Sequence, residues 1–321
     1  MRTIECKINY VVACAVFAII QTGSAINYSS VQSGDWASTS TWGRITLPAA
    51  LDTVYVQGHS VTSSASVAGL NGLGLLAAGS SLQMNSGSLG VTGTVTVSYG
   101  NLIVQSNATL SHASAAGYIK ISTAANGNNG SMTINGGTVT TDRAVLIGNA
   151  AAKDAQGTLT INSGSFSSAL QMILGAGTNS TTTVSLNGGN LEMSYLDFAN
   201  SGTGQTQSLT VNGGALVLTR AAEASAFVFT DPNAKVWFEA GTITFKGVDS
   251  LADFNTFTNT FNTWVSNGKV DSIGLTDQNL INGLTFNGTD AVLTVIPEPA
   301  TLGLFMLSGG FLMVFRHHIR R

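Results

Sequence analysis

The sequence predicts an all-β protein, a single-stranded parallel β-helix with a short capping helix near the C-terminus and a C-terminal transmembrane sorting helix. Three observations predict it. Charged residues make up only 9% of the 321-residue chain, against about 25% in an ordinary soluble domain. That leaves little Lys, Glu and Arg to coat exposed helices, while Ser, Thr, Asn and 37 glycines suit strands and tight turns. A turn motif with apolar residues at fixed offsets also recurs every 25–27 residues.

Residues 1–25 read as a secretory signal. Arg2 and Lys7 make a weakly positive start, Ile8 to Ile20 is an apolar run, and Gly23-Ser24-Ala25 places small residues for cleavage after Ala25. Both cysteines, Cys6 and Cys14, fall inside this segment. Its removal leaves a body with neither disulfides nor Cys-ligated metal. A retained N-terminal anchor is the competing reading.

Residues 26–80 are assigned to an N-terminal cap and first rungs. Trp36 and Trp42 precede a first alternating strand, Asp52 to His59, and would cover the open end of the core. Val54, Val56 and Gln57, followed by Val61, are read as the first copy of the repeat.

Residues 81–247 carry the repeats. The clearest copies are Met132 to Gly137, Leu159 to Gly164, Val184 to Gly189 and Leu209 to Gly214, with a weaker copy at Val236 to Gly241. Counting from the Asn of the turn, apolar residues stand at −3, −1 and +4, and Thr, Ser or Asn mostly fill the positions between. Leu82 and Met84 extend the pattern upstream to Asn85, and Leu102 and Val104 to Gln105, where Leu110 falls one step out of phase. Such alternation marks half-buried strands. A second apolar cluster follows each turn, at Leu146-Ile147, Ile173-Leu174 and Leu196-Asp197-Phe198. One unit cannot bury its own inner face, whereas stacked units bury a continuous column. Antiparallel hairpins compete, because Asn-Gly is a strong hairpin turn. The stack predicts that Asn85, Asn135, Asn162, Asn187 and Asn212 line up as a turn ladder, and that Gly136, Gly188 and Gly213 supply conformations closed to residues with a Cβ.

Residues 248–295 form a C-terminal cap. Leu251, Phe254, Phe257, Phe261, Trp264 and Val265 keep helical spacing, Ser250 with Asp253 approximates a capping box, and Gly268 supplies the stop. A partner-binding helix is the alternative. Leu284 to Phe286 and Ala291 to Val295 read as the last strands.

Residues 296–321 have three parts in order: Pro297-Glu298-Pro299, an apolar run from Ala300 to Phe315, and the basic cluster Arg316, His317, His318, Arg320, Arg321. Sixteen helical residues span about 24 Å, slightly short of a bilayer core, and the arginines favour the cytoplasmic side. The prolines keep the junction extended, open to a processing enzyme. This end resembles the PEP-CTERM sorting signal of Gram-negative envelope proteins, and the repeats resemble the autotransporter-like β-helix segments common among them. The resemblance implies export through the inner membrane, processing by an exosortase near Pro297-Glu298-Pro299, delivery to the envelope or exterior, and an association with exopolysaccharide or biofilm. A plain tail anchor competes with it.

The body offers little for chemistry. Residues 26–295 hold 8 Lys/Arg against 14 Asp/Glu, a net −6, with the basic residues scattered; this is no footprint for nucleic acid. His59 and His112 are the body's only histidines, read as lying in a turn and a loop. They give no triad and no metal spacing, so no cofactor is expected. The best carboxylate set is Asp142 with Arg143, to which Glu192 or Asp197 on neighbouring rungs would be added, but their offsets from the turn differ. The leading expectation is therefore a non-enzymatic surface or matrix protein whose Thr/Ser/Asn face contacts polysaccharide or its own kind. A carbohydrate-active β-helix enzyme and an adhesin are the alternatives.

Overall fold

A computed structural model describes residues 24–295, apart from 115, 124–126, 149–153, 176, 200–202, 221–224 and 273–274. The chain coils into a parallel β-solenoid of about eight turns, three strands to a turn, and each strand pairs with its counterparts one turn before and one turn after. Hairpins occur only at the C-terminal end: among the described residues the antiparallel pairs are Gly241–Lys246 with Asp290–Val295, and Leu284–Phe286 with Ala291–Leu293.

The register follows the offsets of the repeat. On the first face Leu82, Leu102, Met132, Leu159, Val184, Leu209 and Val236 stack in one column, with Met84, Val104, Ile134, Ile161, Leu186, Val211 and Phe238 in the next. The second face stacks Leu89, Leu110, Val139, Phe166, Leu191, Leu216 and Ile243. The third stacks Val95 and Val97, Ile119 and Ile121, Val145 and Ile147, Met172 and Leu174, Leu196 and Phe198. Nearly all of these side chains are fully buried. Each buried Val, Leu, Ile or Phe contributes about 1.5–3 kcal/mol of apolar transfer, and most of that burial is against a neighbouring turn. A coil therefore folds only as part of the stack.

Several expectations need correcting. Val54 and Val56 are not the first copy of the turn motif. They pair with Leu73 and Leu75 and so belong to the third face, one turn after Asn27 to Ser29, while Val61 pairs with Leu82 and takes the place assigned to Val54. Alternation is the same on every face, so periodicity could not tell which face a strand joins. On the third face the inward residues are Val145 and Ile147, with Leu146 half-buried outside. The phase slip at Leu110 is real. It is absorbed at the turn, where Asn135 and Gly136 both oppose Gln105 and Asn107 adopts a left-handed φ of 67°.

The turn glycines are also reassigned. In the later repeats the residue with positive φ is the second glycine position, Gly164, Gly189, Gly214 and Gly241, not Gly188 or Gly213. Gly188 and Gly213 are needed for another reason: a Cβ on either would stand 2.6 or 2.5 Å from the carbonyl oxygen of Asn162 or Asn187 in the preceding turn.

The residues just before the Asn column share one register from Asn85 through Gln105 to Asn212, while a shift after Ile134 sets Asn135 opposite Ser163. Amide bonds run only through its middle: Asn162 Nδ2 donates to Asn135 Oδ1 at 2.8 Å, and Asn187 Nδ2 to Asn162 Oδ1 at 2.9 Å. Asn85 instead accepts from Gln83 Nε2 at 2.6 Å, and no amide bond joins Asn212 to Asn187 among the described residues. Asn162 is the one member with a bond on each side. Asn162→Ala is expected to cost about 1 kcal/mol, while Asn212→Ala costs only a few tenths; urea midpoints of the two variants check the difference.

Both ends are closed by aromatic residues. At the start Trp36 and Trp42 are buried with ring centres 5.1 Å apart, and Trp42 Nε1 donates to the Trp36 carbonyl at 2.8 Å. The short helix α1, Thr39–Trp42, places Trp42 there. At the other end helix α2, Leu251–Ser266, lays Phe257, Phe261 and Trp264 over Phe245 and Phe227. Ser250 Oγ accepts from the Asp253 N–H at 3.1 Å as the expected N-cap, and Gly268 follows the helix with φ +64°. A further helix, α3, Asp277–Asn282, was not expected; its six residues carry too little pattern to read.

Candidate functional site

Two outer surfaces carry polar side chains that could meet a ligand. The first is the outside of the first face. Over four turns three columns point outward in one register, Asn129, Gln156, Thr181, Thr206; Ser131, Thr158, Thr183, Ser208; and Thr133, Thr160, Ser185, Thr210; beside them runs the Asn column, in which a shift sets Asn135 opposite Ser163. None of these sixteen residues is charged or aromatic. Columns lie about 6.6 Å apart along the strand and turns about 4.8 Å apart along the axis. Thr is stiff at χ1, so these hydroxyls are ordered before any partner arrives. The next turn ends the array with Trp237, whose ring lies 4.9 Å from the Lys235 ammonium.

The second surface is a shallow cleft of about 490 Å³ on the second face, lined by Ser111, His112, Thr140, Thr141, Asp142, Ser168 and Glu192, among others. His112 is not in a loop. It ends the strand Ala108–His112 and is buried, pairing with Thr141 on the next turn. Its Nε2 lies 2.6 Å from the Gly93 carbonyl and its Nδ1 2.8 Å from Thr141 Oγ1. A carbonyl can only accept, so Nε2 carries the proton and Nδ1 accepts from the hydroxyl.

Burial pushes His112 below its ordinary value near 6.5; the Gly93 carbonyl and Asp142 oppose this and Arg143 adds to it. The folded state thus holds the neutral ring, while the unfolded chain takes a proton below about pH 6.5. The stability this ring contributes is present above that pH and is lost as pH falls below it. The urea midpoint is expected to fall between about pH 7 and 5, and His112→Gln should remove that part of the slope. An unchanged slope would show that other groups set it.

The carboxylates do not converge. Asp142 Oδ1 accepts from the Ser114 N–H at 3.1 Å, and Arg143 Nε donates to the Ser114 carbonyl at 2.5 Å, so both tie their turn to the preceding coil. Glu192 shares the cleft but sits two turns from the Thr140 level. That is about 10 Å along the axis, beyond the roughly 6.5–9.5 Å used by inverting glycosidases. Asp197 lies on the third face between Ile173 and Val228, where burial raises its carboxyl. His59 donates to or accepts from Ser30 Oγ at 2.9 Å, far along the chain from His112. Among the described residues no group of three or more His, Cys, Asp or Glu could hold a metal ion.

No protein-family model matches the chain, and neither a curated protein nor a solved structure is detectably similar to it.

Of the sorting residues, Pro297, Glu298, Pro299, Arg316, Arg320 and Arg321 lie outside the described residues, as does the apolar span 300–315. Among the described residues no helix is long and apolar enough to cross a membrane. Ala25 is described. It lies exposed in irregular chain, two residues before the first strand, Asn27–Ser29.

Proposed function

We propose that the protein is an exported, envelope-sorted scaffold that presents a β-solenoid at the cell surface or in the surrounding matrix and has no catalytic role. The observation that carries this reading is the uncharged array of sixteen small polar side chains on the first face of a rod closed at both ends. Such an array offers many weak hydrogen bonds in register, which suits polysaccharide or another flat, neutral surface, and it has no positive charge for nucleic acid. The signal segment before Ile26 and the tail from Pro297 to Arg321 supply the route: export, membrane tethering through 300–315, and processing by an exosortase-type enzyme. No cofactor is called for.

A carbohydrate-active enzyme is the second reading, because Asp142 and Glu192 face one cleft. It asks for two carboxylates that act together, and the axial offset works against that.

Mass spectrometry of the protein from fractionated cells tests the route by reading both termini. The expected product comes from the envelope or medium, starts at Ile26 and lacks Arg316 to Arg321. An intact chain from Met1 to Arg321 in the cytosol would overturn it.

A further inference from the structure

Asp52 is buried, only 6% exposed. Its Oδ2 accepts from the Ala49 N–H at 2.8 Å and its Oδ1 from the Ile26 N–H at 2.9 Å. No Lys, Arg or His pairs with it among the described residues; the two nearest in sequence are engaged elsewhere, His59 with Ser30 Oγ and Arg44 with the Asn27 carbonyl and the Tyr28 ring. Two backbone donors thus hold this buried carboxylate, and no opposite charge stands against it among the described residues.

The donor at Oδ1 is the nitrogen that cleavage after Ala25 would release. Resting on the export reading above, we propose that this cleavage makes Ile26 the counter-ion of Asp52 and so completes the N-terminal cap. Hydrolysis breaks the Ala25–Ile26 amide. Water supplies the hydroxyl that leaves Ala25 as a carboxylate and the hydrogen that goes to Ile26 nitrogen, and the resulting amine takes up a further proton as an α-ammonium. The donor to the Asp52 carboxylate thereby changes from a neutral amide N–H to an α-ammonium, and the contact becomes an ion pair with charge on both partners.

The site is built for both steps. Ser24 and Ala25 are exposed and irregular, which a peptidase requires, whereas Ile26 is already tied in: its carbonyl accepts from the Thr53 N–H at 2.9 Å and its side chain packs against the core. Asn27 to Ser29 then pair with Thr53 to Tyr55 on the next turn. The terminal turn of a solenoid has a neighbour on one side only and frays most easily, so an ion pair there guards the stack at its weakest point.

The test is the rate at which a neutral acylating reagent modifies the α-amine of the processed protein, read by mass spectrometry. In the protein starting at Ile26, the amine should react about tenfold more slowly than in Asp52→Asn, which keeps an acceptor but loses the charge. A second form that retains Ser24 and Ala25 ahead of an intact Asp52 should react at the free rate. It should also exchange the Asn27 to Ser29 amides faster. Equal rates in all three forms would overturn the ion pair while leaving export intact, whereas a native N-terminus other than Ile26 would overturn the export reading itself. The form carrying Ser24 and Ala25 decides the matter even if Asp52→Asn fails to fold.

Discussion

Gly189→Ala is expected to destabilise the protein by at least about 3 kcal/mol. Gly189 has φ +72°, and a Cβ there would stand 2.3 Å from the Gly164 carbonyl oxygen of the preceding turn. The left-handed conformation alone costs an alanine about 1–2 kcal/mol. The clash is with backbone, which cannot rotate away, so the turn must move and carry the strands on either side out of register. Gly214 stands in the same relation to Gly189, at 2.4 Å, which makes the column a chain of close contacts. Gly268, also at positive φ, has nothing within 4 Å, so Gly268→Ala should cost only the conformational part. Urea midpoints of the two variants separate strain from stacking; equal losses would mean that the close approach of turns is unimportant.

Phe166→Ala is expected to cost about 3–5 kcal/mol. Phe166 is fully buried on the second face between Val139 and Leu191. Its loss opens a cavity between two turns, and each turn relies on its neighbours. Amide exchange should therefore rise in both flanking turns, at Val139 and at Leu191, and not only in the altered strand. A loss confined to residues 165–168 would argue against coupling between turns.

How much of this was legible in the sequence depends on which signal each element rests on. The inward columns were readable from Met132 to Phe238 because burial forces apolar side chains to one offset from the turn. The aromatic closures at Trp36 and Trp42 and over helix α2 were readable because large rings in a Ser/Thr background have few other uses. The face to which Val54 and Val56 belong was not, since all three faces share one alternation and only pairing distinguishes them. The glycine roles were partly hidden: sequence shows two adjacent glycines, but not that Gly189 supplies the φ while Gly188 admits the Asn162 carbonyl. His112 was misplaced in a loop because a polar residue at an inward position breaks the apolar pattern, although its pairing with Thr141 satisfies it. The outward array could be read as a Thr/Ser/Asn face, but the single register of its first three columns over four turns needed the strand pairs. The Asp52–Ile26 contact joins residues 26 apart with no motif to announce it.

The stacking of turns is tested most directly by one distance. Gln83 and Thr210 are 127 positions apart in the chain, yet they occupy the same outward column five turns apart. At about 4.8 Å per turn, their backbones should lie about 24 Å apart. Spin labels at these two outward-facing, half-buried sites should give a narrow distribution near that separation. A broad distribution, or one centred far from it, would contradict the solenoid and the scaffold role drawn from it.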